Sequence, residues 1–109
     1  MKNKTIRRFA VPLLCMLLGS AALAQSATKE ALYVRSLAAT CANCHGTDGR
    51  AVAGSPVTSL AGLDKTYFLA QMAAFKSGAR TATVMHQLSK GFNDAQIESL
   101  AAYFAEQKK

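Results

Sequence analysis

Cys41-Ala42-Asn43-Cys44-His45 is the stretch on which the reading of the whole chain turns. Besides this pair, the 109 residues hold one further cysteine, Cys15, set in the run Leu13-Leu14-Cys15 near the N-terminus. A disulfide between Cys41 and Cys44 would close a loop of only two intervening residues. The entropy a bridge removes from the unfolded chain grows with the length of the loop it closes, so such a bridge would be a poor staple. The pair needs another use, and the histidine directly after it adds an imidazole able to bind a metal.

Upstream of this stretch lies a tripartite segment. Lys2, Lys4, Arg7 and Arg8 are positive, Phe9 to Leu18 is apolar apart from Pro12, and Ala22-Leu23-Ala24 is a small-x-small site. This is the pattern of a secretory signal peptide over residues 1–24, with the mature chain beginning at Gln25. Gly19-Ser20 and Gln25 interrupt the apolar run before it reaches the ~20 residues of a membrane span. Cys15 belongs to the apolar part and is lost with it. Four of the thirteen basic residues also leave, so the formal charge of +7 becomes +3, nine basic against six acidic side chains. That charge, with no Arg/Lys cluster interleaved with aromatics, argues against nucleic acid as a partner. The length excludes a multidomain enzyme, and half the residues being hydrophobic excludes wholesale disorder.

Residues 25–109 form one domain, close to the size at which a protein core alone seldom suffices. Val34, Leu37, Ala38 and Cys41 recur at helical spacing, which predicts an amphipathic helix over roughly Lys29 to Thr40. Gly46 to Gly62 holds four glycines and Pro56, a loop long enough to be functional or wrapped around something. Asp64 is an N-cap for a helix from Lys65 to about Ser77, with Phe68, Met72 and Phe75 facing the core and Gly78 closing it. A short apolar segment runs from Thr81 to Lys90. Asn93 and Gln96 form a capping-box start for a last helix from Asp94 to near Gln107, with Ile97, Leu100, Ala101 and Phe104 on one face. No alternation of strand period occurs. The expectation is an all-α domain whose own core is too thin.

Cys-x-x-Cys-His is the attachment signature of haem c. Two thiols at this spacing can each form a thioether to one vinyl group of a porphyrin, and the following histidine is then held as an iron ligand. A large flat apolar group would also supply the missing core. The rival uses fit less well. A thioredoxin-like redox pair wants a strand-to-helix junction, a zinc site built from Cys41, Cys44, His45 and His86 leaves the loop and thin core unexplained, and a plain disulfide does so too. The mature chain offers Met72, Met85 and His86 as a second iron ligand. Met72 lies on the apolar stripe of a predicted helix, where methionine is usually filler. Met85, forty residues after His45 in a segment between helices, is the expected ligand, and His86 is then an exposed histidine.

From about Ala31 to Lys109 the sequence resembles the small class I c-type cytochromes. The likeness rests on Cys41 to Gly46, Ser59-Leu60-Ala61-Gly62 opening the middle helix, Met85, and the closing run from Asn93 to Ile97 and Ala102-Tyr103-Phe104. Ala74-Phe75-Lys76-Ser77-Gly78, Thr83-Val84-Met85 and Lys90-Gly91-Phe92 are similar to the cytochrome subunit of flavocytochrome c sulfide dehydrogenase. The resemblance implies one covalent haem c on Cys41 and Cys44, iron held by His45 and Met85, and N- and C-terminal helices that cross. It also implies a flavoprotein (FAD) partner that oxidises sulfide, a downstream electron carrier and a periplasmic location; a freely diffusing shuttle of a respiratory or photosynthetic chain is the alternative. Many relatives have a proline two residues before the leucine of Ser-Leu-Ala-Gly, in a region whose carbonyl orients the histidine. Here Thr58 stands in that place. The small residues offered at the helix crossing are Ala31, Ala38 and Ala39.

Overall fold

The computed structural model describes backbone elements from Lys4 and side chains from Gln25 to Lys109; the expected export signal, with Cys15, lies outside the residues described with side chains. The chain divides into two units, residues 1–32 and Tyr33–Lys109. The first belongs to the N-terminal part of helix α1 (Lys4–His45), and its described residues, 25–32, are exposed. The second unit carries the rest of α1 and then α2 (Lys65–Ser77), α3 (Met85–Leu88) and α4 (Asp94–Glu106). Short 3₁₀ turns lie at Thr47–Gly49 and Ser89–Gly91. No strand occurs among the described residues, as an all-α domain requires.

Each helix in this unit starts or stops where local chemistry dictates. The Asp64 carboxylate accepts from the Tyr67 N–H at 2.8 Å and caps α2, and Gly78 ends that helix in the left-handed conformation. At α4 the Asn93 side chain accepts from Gln96 N–H while the Gln96 amide oxygen accepts from Asn93 N–H, satisfying two otherwise unpaired donors. Helix α1 runs five residues beyond the predicted Thr40 because Cys41-Ala42-Asn43-Cys44-His45 contains no helix breaker. It stops at Gly46 (φ 80), where a Cβ would lie 1.8 Å from the Arg50 carbonyl oxygen. Ser59 to Gly62 leads into α2 as a turn, and the helix starts at Lys65 behind the Asp64 cap, as its sequence predicts.

Ala38 of α1, Phe68 and Met72 of α2, and Ile97, Leu100, Ala101 and Phe104 of α4 form one buried cluster with Leu60. Ala38 is the small residue that lets α1 approach α4, while Ala31 and Ala39 are exposed. Gln96 Nε2 donates to the Tyr33 hydroxyl at 2.9 Å, a second link between these helices. The Phe68 and Phe104 rings meet at 5.8 Å between centroids. This core is small.

The loop after α1 is tied to the end of α4. Tyr103 donates to Asp48 Oδ1 at 2.6 Å, Arg50 pairs with Asp48 at 3.4 Å, and Arg50 Nε donates to the Lys108 carbonyl at 2.9 Å. The Tyr103 hydroxyl, before the Arg50 charge, holds the Asp48 carboxyl below its usual range, and the same bond raises the Tyr103 pKa. Gly49 (φ 78) sits against the core. A Cβ there would meet Leu60 Cβ and Phe104 Cδ1, each at 2.8 Å.

Gly49→Ala therefore combines overpacking, about 1–3 kcal/mol, with a left-handed backbone that costs a non-glycine residue about 1–2 kcal/mol. Thermal unfolding should show a fall of that combined order, and an unchanged melting temperature would refute the packing. Because Asp48 is depressed in the folded state, its contribution is present above the unfolded carboxylate pKa of about 3.9 and is lost as pH falls through the folded value. Tyr103→Phe should accordingly melt lower than wild type at neutral pH, with the gap closing in acid. A gap independent of pH would show that Asp48 is not the partner.

Candidate functional site

The last turn of α1, the Val57–Leu63 loop, α2, the Arg80–Val84 segment and α3 enclose a cavity of about 600 Å³. Cys41, Cys44 and His45 line it from α1, and Met85 lines it from the first position of α3. All four residues singled out from the sequence therefore face one space. Most of the remaining lining is apolar: Val57, Leu60, Leu63, Phe68, Met72, Phe75, Leu88, Phe92 and Leu100. Its size is that of a cofactor pocket, about 300–1,000 Å³. Apolar side chains lining so large an open space are unfavourably exposed to water until an apolar group covers them. The fold is built to hold an occupant.

His45 is oriented by the backbone. Its Nδ1–H donates to the Thr58 carbonyl at 2.6 Å, which fixes the tautomer and leaves Nε2 with its lone pair free. The Thr58 carbonyl is itself held in place. The Gly49 carbonyl accepts from Leu60 N–H at 2.7 Å, Ala61 N–H at 3.1 Å and Ser59 Oγ at 2.8 Å, locking the residues after Thr58 against the turn that follows His45. The carbonyl at position 58 thus reaches the imidazole although proline is absent there.

Cys41 is half-buried and Cys44 exposed, and both are free thiols. Burial is the main cause that pushes the Cys41 thiol up; the contact with the Thr40 hydroxyl opposes the rise and Cys44 adds to it. Among the described residues no group of three or more His, Cys, Asp or Glu side chains could hold a metal ion, which overturns the four-ligand zinc alternative. His86 is not the exposed histidine expected. It does not line the cavity, and its Nδ1 is buried without a hydrogen-bond partner. Met72 also lines the cavity, but it is 5% exposed and belongs to the core cluster. Tyr67, Phe68 and Phe92 face the cavity, whereas Tyr33 faces Gln96 instead. Sequence reasoning missed Gln71 and Arg80 in the wall; the i, i+4 row Tyr67, Gln71, Phe75 was the available signal for Gln71.

The family model for cytochrome c matches residues 33–108, the whole of the second unit but its last residue. The chain belongs to the cytochrome c family. Membership brings covalently bound haem c, and the spacing of Cys41 and Cys44 is that of its attachment motif. The residues present fit that group: the cavity is apolar, of suitable size, and carries two thiols and an oriented imidazole on one helix turn. The chain is 40% identical over 68 residues to the cytochrome subunit of sulfide dehydrogenase of Chlorobaculum tepidum, covering 62% of this chain and 60% of that protein. It is 39% identical to cytochrome c4 of Pseudomonas aeruginosa over 87% of this chain and 46% of that one. Cytochrome c-554(548) of Halomonas halodenitrificans is 36% identical over 63% of this chain and 86% of its own length. The chain thus spans 60% and 46% of the lengths of the first two relatives, less than two thirds of either. No described helix is long and apolar enough to cross a membrane.

A cavity that needs its occupant makes folding depend on attachment. The double variant Cys41→Ala, Cys44→Ala, produced without covalent haem, should lose cooperative thermal unfolding, while the haem-loaded wild type melts in one sharp transition. A cooperative melt of the haem-free variant would show that the protein core suffices.

Proposed function

We propose that the chain is a periplasmic mono-haem cytochrome c that carries one electron at a time and is not an enzyme by itself. In this reading residues 1–24 are removed on export and residues 25–109 form the working domain. Cys41 and Cys44 would hold haem c through two thioethers, and His45 Nε2 and the Met85 sulfur would bind its iron. Bound haem c supplies an iron that cycles between ferric and ferrous states. The observation that carries the reading is the meeting of Cys41, Cys44, His45 and Met85 in one apolar cavity, with the His45 ring held by the Thr58 carbonyl.

Each residue has a task in such a carrier. The Thr58 carbonyl keeps Nε2 pointed at the metal and makes the imidazole a stronger donor. Met85, as a soft thioether, favours the reduced state and raises the potential relative to a second histidine. With His45 and Met85 both committed to the iron, no place on the metal would be left for a substrate. Leu60, Phe68, Phe92 and Leu100 exclude water from the site and keep its local dielectric low. An electron then moves without large rearrangement of the protein.

The electron source proposed is a flavoprotein (FAD) subunit that oxidises sulfide, and the electron leaves to a downstream carrier. The likeness to the Chlorobaculum tepidum subunit supports this. A free shuttle is the second reading, favoured by the Halomonas halodenitrificans relative, 86% of whose length the chain spans. Protein isolated from its host under native conditions should co-purify with flavin absorption, and sulfide should reduce its haem bands. Haem without flavin, unmoved by sulfide, would refute the dehydrogenase role and favour the shuttle. Met85→Ala should keep its haem but bind carbon monoxide in the ferrous state far more readily than wild type. Equal binding by both would refute Met85 as a ligand.

A further inference from the structure

We infer that Lys76 is a positioning residue for Met85: from the last turn of α2 its ammonium closes the far end of the segment that carries this ligand. The inference rests on the haem reading given above and adds to it what holds Met85 in place. Residues 79–92 leave α2 after Gly78 and lead to α4, and Met85 stands in their middle, at the first position of α3. α3 is a single turn. Its Gln87 and Leu88 N–H groups donate to the Val84 carbonyl at 2.9 and 3.1 Å, and Phe92 N–H donates to the Ser89 carbonyl at 3.3 Å. These bonds are internal to the segment. Among the described residues, no hydrogen bond joins residues 81–91 to α1, α2 or α4.

The ends of the segment are fixed instead, and both go to the C-terminal part of α2. At the start, Arg80 N–H donates to the Ala74 carbonyl at 3.1 Å. At the finish, Lys76 Nζ donates to the Phe92 carbonyl at 2.9 Å and to Asp94 Oδ1 at 3.2 Å. The bond to Phe92 is partly buried, whereas the Asp94 side chain is 100% exposed. An ion pair with so exposed a partner contributes little, so the carbonyl is the contact that matters. The Phe92 ring lines the cavity, and both it and Met85 pack against the buried cluster. Met85 is therefore presented by a short segment pinned at its two ends. Freedom gained by releasing one end would have to be given up again each time the sulfur met the iron, which weakens that bond.

Lys76→Met keeps an apolar stem but removes the donor, leaving the Phe92 carbonyl unpaired and that end of the segment free. Imidazole added to the ferric, haem-loaded protein competes with the Met85 sulfur for iron and leaves His45 in place. Its affinity for Lys76→Met should rise about tenfold to a hundredfold, the weight of a hydrogen bond to a charged group. Lys76→Arg keeps the charge and the donors and should stay near wild type. Asp94→Asn removes only the exposed carboxylate and should stay near wild type as well. Hydrogen exchange at the Gln87 and Leu88 amides should quicken in Lys76→Met. The Leu60 amide, bonded to the Gly49 carbonyl on the His45 side, should keep its wild-type rate.

Wild-type imidazole affinity in Lys76→Met would overturn the assignment. So would a rise of equal size in Asp94→Asn or Lys76→Arg, or exchange that quickens equally at Leu60, since each makes Lys76 a general support rather than a clamp on the Met85 segment. Met85→Ala is the reference for an open iron. If it binds imidazole no more tightly than wild type, Met85 is not a ligand and the reading beneath the inference fails, a result distinct from failure of the clamp.

Discussion

An apolar space of about 600 Å³ lies among the helices of this small domain, and keeping it filled is the constraint that governs the rest of the structure. The buried protein core is a single cluster around Phe68, Leu100 and Phe104, and several of its members, Leu60, Phe68, Met72 and Leu100, also face the cavity. The same side chains therefore serve as core and as binding wall. A covalent tether suits such an arrangement. It makes the occupant part of the chain, so that folding and binding are one event rather than two.

The second recurring feature is the use of backbone carbonyls as fixed points. The Thr58 carbonyl orients His45, and the Gly49 carbonyl gathers three donors from Ser59, Leu60 and Ala61. Gly49 in turn is pressed between Leu60 and Phe104, and the preceding Asp48 is held by Tyr103. The orientation of one imidazole is thus traced through a turn to the C-terminal helix. Packing of α4 and geometry at His45 are two ends of the same chain of contacts.

Much of this was legible in the residues. Asp64, Gly78 and the Asn93–Gln96 pair announce helix ends through local hydrogen bonding, and the structure puts those ends there. The buried face of α4 follows from its helical spacing. The cysteines, His45 and Met85 were found by chemistry, and they share one cavity. What escaped depended on tertiary contact. The carbonyl at position 58 leaves no trace in a side chain once threonine replaces proline. The extension of α1 to His45 is hidden because the apolar spacing that marks the helix ends at Cys41. Arg80 looks like a loop charge in solvent until Gly78 turns it back along α2. His86 looked exposed because its neighbour Met85 was assigned inward, yet its Nδ1 is buried.

Mass spectrometry of the protein isolated from its host and fully denatured asks directly whether one haem is bonded to Cys41 and Cys44. The expected polypeptide is heavier by one haem, with haem absorption eluting together with the chain and the added mass mapped to the peptide containing Cys41-Ala42-Asn43-Cys44-His45. A denatured chain with the mass of the polypeptide alone, its haem absent or released into the solvent, would contradict that attachment.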